Sequence, residues 1–340
     1  MTSFEIFRSK RSDMRCVIVG YGVQGKKRLR VAGNEGIGIV DPFLDEAQWQ
    51  RIQDVPLDLY DAALVCTPDE PKQEILGYLA AHGKHALVEK PLHAARDGEL
   101  ESLQAVARQN NALIYTAYNH RFEPHYIRVR DLLRSGELGT IYRCRMFYGN
   151  GTARLVRDSA WRDTGAGVLP DLGSHLLDTA RFWFGDLADD FRVTSASCFE
   201  NRACDHVVVA SERSRPKLEM EMTLLSWRNH FVCDIFAELG SAHVSSLCKW
   251  GPTTFTLRKR ILPSGRPTEE CVTLVQDDPT WALEYDHFKR LVAQRTQTDL
   301  ANDIWLHRTL GRLGREVTTA NGETVQPRAL DADNRVSADT

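Results

Sequence analysis

The sequence predicts an α/β protein: an N-terminal, doubly wound parallel sheet, followed by an α+β domain with a mostly antiparallel sheet. Three observations predict this. Short apolar strand runs alternate with helical stretches over the first third of the chain. A glycine-rich turn joins the first of those runs to its helix. After Asn119 the alternation stops, and strand-like runs follow one another with few helices between them. A chain of 340 residues suits about two domains.

Each element follows from its local pattern. Residues 15–19 are a short apolar run, as in a strand buried on both faces. A glycine turn and a short helix over 26–31 come next. Residues 37–40 read as a second strand ending at Asp41, and 62–66 as a third, stopped by Thr67-Pro68. Within 71–82, Ile75, Leu76, Leu79 and Ala80 fall at helical spacing, and Gly83 stops that helix. Residues 86–88 are a strand running into Glu89-Lys90-Pro91, 99–109 a helix, and 112–118 the next strand. A helix over 124–133 ends at Ser135-Gly136. Strand-like runs then occupy 141–148, 191–198, 206–211, 217–226, 230–238, 253–262 and 271–275. In one of them Leu218, Met220, Met222 and Leu224 take one face, and Lys217, Glu219, Glu221 and Thr223 the other. That is an antiparallel strand with one wetter face. Helices return over 280–294 and 302–313.

Composition narrows the class. Hydrophobic content of 42% and charged content of 26% are ordinary for a globular protein. A net charge of −3 gives no pull toward nucleic acid or an anionic membrane. No apolar run approaches the roughly 20 residues that span a bilayer. Residues 1–13 lack the apolar stretch of a secretory leader and read as a short extension before Met14. The eight cysteines are scattered without a Cys-x-x-Cys pair. They read as buried thiols in a reducing cytoplasm, not as disulfides or metal ligands, and no metal site is expected.

Three motifs carry chemistry. Gly20-Tyr21-Gly22-Val23-Gln24-Gly25 follows a strand and opens a helix, and Asp41 ends the next strand. The glycines allow a tight turn and a close backbone approach, so a pyrophosphate can rest on the helix N-terminus while Asp41 takes the ribose hydroxyls. The plainer alternative is a turn alone. The carboxylate of Asp41 repels a 2′-phosphate, which favours NAD over NADP. Lys26, Lys27, Arg28 and Arg30 read as a solvated helix face rather than a phosphate site.

Glu89-Lys90-Pro91 stands at the carboxyl end of a strand, where open α/β sheets bind ligands. An ammonium there steadies an oxygen that gains negative charge, with a cis Pro91 aiming it inward. Alone, Lys90 reads as a surface lysine before it reads as a catalytic one. The third motif is Gly165-Ala-Gly167-Val-Leu-Pro170-Asp171-Leu-Gly173-Ser-His175. A four-residue helical step would stack Asp171 and His175 on one face, the arrangement that orients a basic imidazole. Asp171 is equally an N-cap for a helix over 172–184, with His175 merely packed.

In this order and spacing the motifs resemble the glucose-fructose oxidoreductase / inositol dehydrogenase (Gfo/Idh/MocA) family. The resemblance spans about residues 14–320 and adds Cys66-Thr67-Pro68, Tyr118-Asn119-His120-Arg121-Phe122 and Trp161-Arg162 to the three motifs. It implies a Rossmann domain over 14–121. It also implies a substrate-binding α+β domain over 122–325 with a large open sheet, then a polar tail over 326–340. It implies a homo-dimer or homo-tetramer formed through that sheet. The catalytic positions it implies are Lys90, Asp171 and His175. The cofactor contacts it implies include Gly20, Gly22, Gly25, Asp41, Thr67, Pro68, Glu89, Asn119, Trp161 and Arg162, and the neighbouring Tyr21, Val23, Gln24, Cys66 and Lys90 belong with them. Substrate readers are expected at Lys90, Asn119, Arg121, Arg154, Arg157, Trp161, Asp171 and His175. Arg154, Arg157 and Arg162 read first as ordinary surface arginines, with a site for a uronate carboxylate or a nucleotide-sugar phosphate as the alternative. Lys72 stands where many members have histidine, Ala166 replaces a glycine, and Pro170 is unusual.

The function implied is hydride transfer between NAD and a hydroxyl-bearing carbon of a sugar, cyclitol or nucleotide-sugar. His175 would take the hydroxyl proton, oriented by Asp171, while Lys90 supports the oxygen; Lys90 as proton carrier stays open. An NAD-dependent glycoside hydrolase, a non-catalytic NAD-binding regulator, and a reductase of small ketones are the alternatives.

Overall fold

The structure, a computed structural model, describes residues 14–159 and 162–324. The extension over 1–13, the tail over 326–340 and Trp161 lie outside the described residues.

The first sheet contains β1 (Cys16–Val19), β2 (Gly36–Val40), β3 (Ala62–Val65), β4 (His85–Glu89) and β5 (Ile114–Ala117). All its pairings are parallel, in the order β2-β1-β3-β4-β5. β1 and β3 are buried along their whole length, as their unbroken apolar runs require. The strand order reverses between β1 and β3, which opens a crevice at their carboxyl ends. α2 (Asp69–Ala81) and α3 (Glu99–Gln109) cover one face through Leu76, Leu79, Leu100 and Leu103.

The other face is covered from two distant parts of the chain. α1 (Val23–Ala32) supplies Leu29 and Ala32; α7 (Thr280–Ala293), far downstream, supplies Tyr285 and Phe288 against Ile18, Leu64 and Leu87. A sequence cut at 121 places α7 with the second segment, but the helix packs on the first sheet. Between α1 and α7 lies Arg28, whose side chain is only 2% exposed. Its guanidinium lies 2.7 Å from Glu89 Oε1 and 2.7 Å from Glu284 Oε2. Arg28 is therefore no part of a solvated helix face. It clamps two acidic residues on separate elements, a role that its three exposed basic neighbours concealed. Indeed, α1 starts three residues earlier than the pattern suggests and is 10 residues long.

The second sheet has eight strands in the order β13-β12-β11-β10-β6-β9-β8-β7. They are β6 (Ile141–Gly149), β7 (Phe191–Ser197), β8 (His206–Ser211), β9 (Lys217–Thr223), β10 (His230–Ala237), β11 (Gly240–Ser245), β12 (Thr253–Ile261) and β13 (Gly265–Leu274). Every pairing is antiparallel except β6 with β9. α4 (Pro124–Ser135), α6 (Ser174–Phe184) and α8 (Ala301–Thr324) cover one face, where Met146, Met220, Met222 and Ile235 meet Tyr126, Leu177, Leu310 and Leu313. β11 escapes the sequence pattern because Gly-Ser-Ala-His-Val-Ser has weak strand character. Its ladder bonds to β10 and β12 hold it instead. β13 begins six residues before the expected run, as an exposed hairpin partner of β12 without an apolar face. α8 runs well past residue 313, through Gly311 and Gly314, because Leu310, Leu313 and Val317 stay buried. Among the described residues no helix is long and apolar enough to cross a membrane. Five cysteines are buried and two half-buried, but Cys271, on the outer hairpin, is exposed, contrary to expectation.

Candidate active site

The crevice is built by glycines where no other residue fits. Gly20 has φ +85°, and a Cβ there would sit 3.0 Å from the Cys66 carbonyl carbon. A Cβ at Gly25 would come within 2.1 Å of the Gly20 carbonyl oxygen, so α1 packs tightly behind the turn. At Gly22 a Cβ would meet nothing within 4 Å, and this glycine caps α1 without any side-chain hydrogen bond. Gly22, Val23 and Gln24 are exposed, with amides of the helix N-terminus free to meet an anion. Asp41 accepts the Tyr21 amide at 2.8 Å and the Phe43 amide at 2.9 Å. A carboxylate has about four lone-pair sites, so two remain for sugar hydroxyls. Among the described residues Thr67 Oγ1 is buried without a partner just after β3, beside Pro68, which caps α2. Burial pushes the Cys66 thiol far up, so it stays protonated. This open cradle, orphan hydroxyl and carboxylate fit a nicotinamide dinucleotide.

Lys90 emerges from β4 on a cis Lys90–Pro91 peptide. The departure at Lys72 has a structural use here: its ammonium, 3% exposed, bonds Asp69 at 2.6 Å and the Pro91 carbonyl at 3.4 Å. That ties α2 to the Lys90 turn.

The Asp171 stretch is held from behind. Gly167 has φ +58°, and a Cβ there would overlap the Cys204 carbonyl oxygen at 2.0 Å. That same carbonyl accepts the Val168 amide at 2.8 Å. Residues 169–173 form a π-helical turn that runs directly into α6. Pro170 falls in its first positions, where a missing N–H costs nothing.

The π turn corrects two expectations about Asp171. The residue lies inside the turn and makes no helix cap. Nor does a hydrogen bond join its carboxylate to His175 among the described residues. Its carboxylate instead meets Lys90, whose Nζ donates to Oδ1 at 3.0 Å and to the Asp171 carbonyl at 2.9 Å. Arg162 stands 3.8 Å from the other carboxylate oxygen. The Lys90 charge holds the Asp171 carboxyl below its usual range.

His175 is packed face to face on His120, with ring centroids 4.0 Å apart. Its Nδ1 is buried without a hydrogen-bond partner among the described residues. Burial, together with His120, Lys90 and Lys249, pushes His175 well below the usual imidazole range, so its ring is neutral at pH 7.

The remaining expected contacts divide. Asn119 is buried and donates to Thr280 Oγ1 at 2.8 Å, which joins the end of β5 to α7. Glu89 faces Arg28. Arg121 is not turned to a substrate: both arms of its guanidinium bond the buried Asp178 of α6. Arg154, on the short α5 (Ala153–Arg157), is 73% exposed and 3.5 Å from Glu200, and Arg157 faces its neighbour Asp158 at 3.8 Å. Both behave as surface arginines.

Sequence reasoning missed Lys249. It sits on the turn at Cys248–Trp250, and its Nζ lies 3.0 Å from Tyr148 Oη and 3.2 Å from His120 Nε2. A lysine inside Leu247-Cys-Lys-Trp250 is the signal that could have found it. Among the described residues no three His, Cys, Asp or Glu side chains group as metal ligands.

Fold and site together define a nicotinamide-dependent oxidoreductase architecture. Residues 14–118 match the model of an oxidoreductase family with an NAD-binding Rossmann fold, and residues 126–242 match the GFO/IDH/MocA C-terminal domain. The chain belongs to the GFO/IDH/MocA family of oxidoreductases. It is 25% identical over 199 residues to scyllo-inositol 2-dehydrogenase (NADP(+)) IolW of Bacillus subtilis (strain 168), a match covering 52% of this chain and 54% of that protein. It is 29% identical over 169 residues to the rhizopine catabolism protein MocA of Rhizobium meliloti, covering 50% and 49%. The chain thus spans about half the length of these relatives. Among solved structures it resembles levoglucosan dehydrogenase in complex with NADH and L-sorbose, with a TM-score of 0.76 and 17% identity over 90% of this chain and 97% of that one. That likeness is one of fold.

Proposed function

We propose that the protein is an NAD-dependent dehydrogenase acting on a hydroxyl-bearing carbon of a sugar, cyclitol or nucleotide-sugar. The observation that carries this reading is the Lys90–Asp171 pair at the carboxyl edge of the first sheet, beside the neutral His175. A bound nicotinamide would supply the hydride acceptor. His175 is the group in its free-base form and receives the hydroxyl proton. Lys90, held in place by its hydrogen bonds to Asp171, steadies the oxygen that acquires negative charge. Its Asp171 partner has 47% of its side chain exposed, so a substrate hydroxyl can reach the pair.

NAD is the favoured cofactor because the carboxylate of Asp41 lies where a 2′-phosphate would need a cation. Absorbance of the reduced cofactor, followed with a panel of sugars, inositols and UDP-sugars, tests the whole reading. NAD should give a kcat/KM at least about tenfold above NADP, and Asp41→Ser should shrink that ratio. A native preference for NADP would reverse the cofactor assignment. Absence of turnover with every polyol would sink the dehydrogenase reading.

The outer face of the eight-stranded sheet supports a homo-oligomer. Among the described residues helices cover only one face, while Phe147, Val208 and Val232 stay half-buried on the other and Phe236 is 45% exposed. A second copy seated there would bury that strip. Sedimentation should return a dimer or tetramer mass; a monomer at micromolar concentration would contradict it.

A further inference from the structure

We infer that Lys249 seats a carboxylate carried by the substrate, so that the enzyme prefers a polyhydroxy acid, a uronate or aldonate, to the neutral sugar. This rests on the dehydrogenase reading above. An ammonium has three donors. Two of those on Lys249 point at Tyr148 Oη and His120 Nε2, at 3.0 and 3.2 Å, leaving one unused among the described residues. Among the described residues no carboxylate lies within 4.0 Å of it. The nearby acids act on it only from a distance: Asp171 bonds Lys90, Asp278 bonds Thr280, and Glu123 accepts the Cys248 amide through one oxygen while the other is buried without a partner among the described residues.

Contact pairing in the site is therefore uneven. Lys90 is matched by Asp171, while Lys249 is unmatched and Arg162 stands only loosely paired at 3.8 Å. A half-buried ammonium with no carboxylate in direct contact gains from a ligand that supplies one. The ammonium also lies 4.6 Å from the Trp250 ring centroid and 5.5 Å from that of Tyr148, between two flat walls. One free donor between aromatic faces suits a planar monoanion. A phosphate dianion would call for more donors than are offered here. Through His120, which stacks on His175, the seat adjoins the proposed proton acceptor.

Burial lowers Lys249 to about 8, against the pull of Glu123, Asp278 and Asp171. The facing His120 is driven well below its usual range and Tyr148 is driven up, so both are neutral there. The charge on Lys249 is present at pH 7 and fades above pH 8, and carboxylate affinity should fade with it.

The test compares D-glucuronate, D-galacturonate, D-gluconate and D-galactonate with D-glucose, D-galactose, myo-inositol and glucose 6-phosphate. The native protein, Lys249→Met and Lys249→Arg are each assayed with NAD, and the acids are also titrated calorimetrically at pH 7 and pH 9.5. The best acid should exceed the best neutral compound by at least about tenfold in kcat/KM. Lys249→Met should raise KM for the acid by about 100-fold while moving neutral substrates by less than about threefold, and Lys249→Arg should restore most of the loss. Equal or better use of a neutral sugar or of the phosphate overturns the inference and leaves the dehydrogenase reading standing. Equal loss on both substrate classes in Lys249→Met also overturns it, since Lys249 would then act through His120. Acid binding at pH 7 that weakens at pH 9.5 and in Lys249→Met, without any turnover, would uphold the seat and remove the dehydrogenase reading. Absence of acid binding overturns the seat outright.

Discussion

Replacing Lys90 with methionine should lower kcat/KM by about a thousandfold, or about 4 kcal/mol of transition-state stabilisation, with little change in NAD affinity. The methionine keeps the length and apolar stem of the side chain and removes only the charge and its donors. The native ammonium bonds both Oδ1 and the carbonyl of Asp171, so it is fixed in place before substrate arrives. A fixed donor needs no reorganisation as charge develops on the reacting oxygen, which is why its loss is felt in the rate. Asp171 would at the same time lose the charge that holds its carboxyl low, and its pKa should climb toward the ordinary range. The rate is read from absorbance of the reduced cofactor, and cofactor affinity from quenching of tryptophan fluorescence. Turnover of Lys90→Met within tenfold of the native protein would show that Lys90 has no electrostatic role in the reaction.

The largest effect on stability should come from Arg28→Met, with a loss of about 3–5 kcal/mol and a fall in Tm of roughly 10 °C. Arg28 is only 2% exposed, and its removal strands Glu89 and the fully buried Glu284. Burial already pushes Glu284 up to about 7 even with Arg28 present. A carboxyl raised in the folded state binds its proton more tightly there than in the unfolded chain. Stability therefore falls as pH rises from the ordinary carboxylate range through about 7. Without Arg28 that window should extend upward, so the variant should lose more stability than the native protein between pH 6 and pH 9. Adding Glu284→Gln should recover part of the loss. A small Tm change, or one independent of pH, would mean that the clamp is dispensable.

What could be read from sequence was what lies contiguous in sequence. The glycine turn, Asp41, Lys90 and the 165–175 stretch each announce themselves through local spacing, and the fold returns them to one edge of one sheet. Three features stayed hidden for physical reasons. Lys249 and His120 come from two separate turns and Tyr148 from a strand, and nothing local marks their convergence. The partners of Arg28 lie 61 and 256 residues away, so its burial is a property of packing. The π turn at Leu169–Gly173 departs from the regular helix that a spacing argument assumes, and the Asp171 carboxylate meets Lys90 instead.

The return of α7 to the first sheet has a consequence for synthesis. Until residues 280–293 have left the ribosome, the strip containing Ile18, Leu64 and Leu87 lacks the cover of Tyr285 and Phe288. The nucleotide-binding half is thus begun first and finished nearly last, after the whole second sheet has been made. A fragment ending at residue 121 would carry that strip bare, and it should associate or call on chaperones where the full chain does not. The half that would hold the cofactor is completed only by a chain that has already made the half that would meet the substrate.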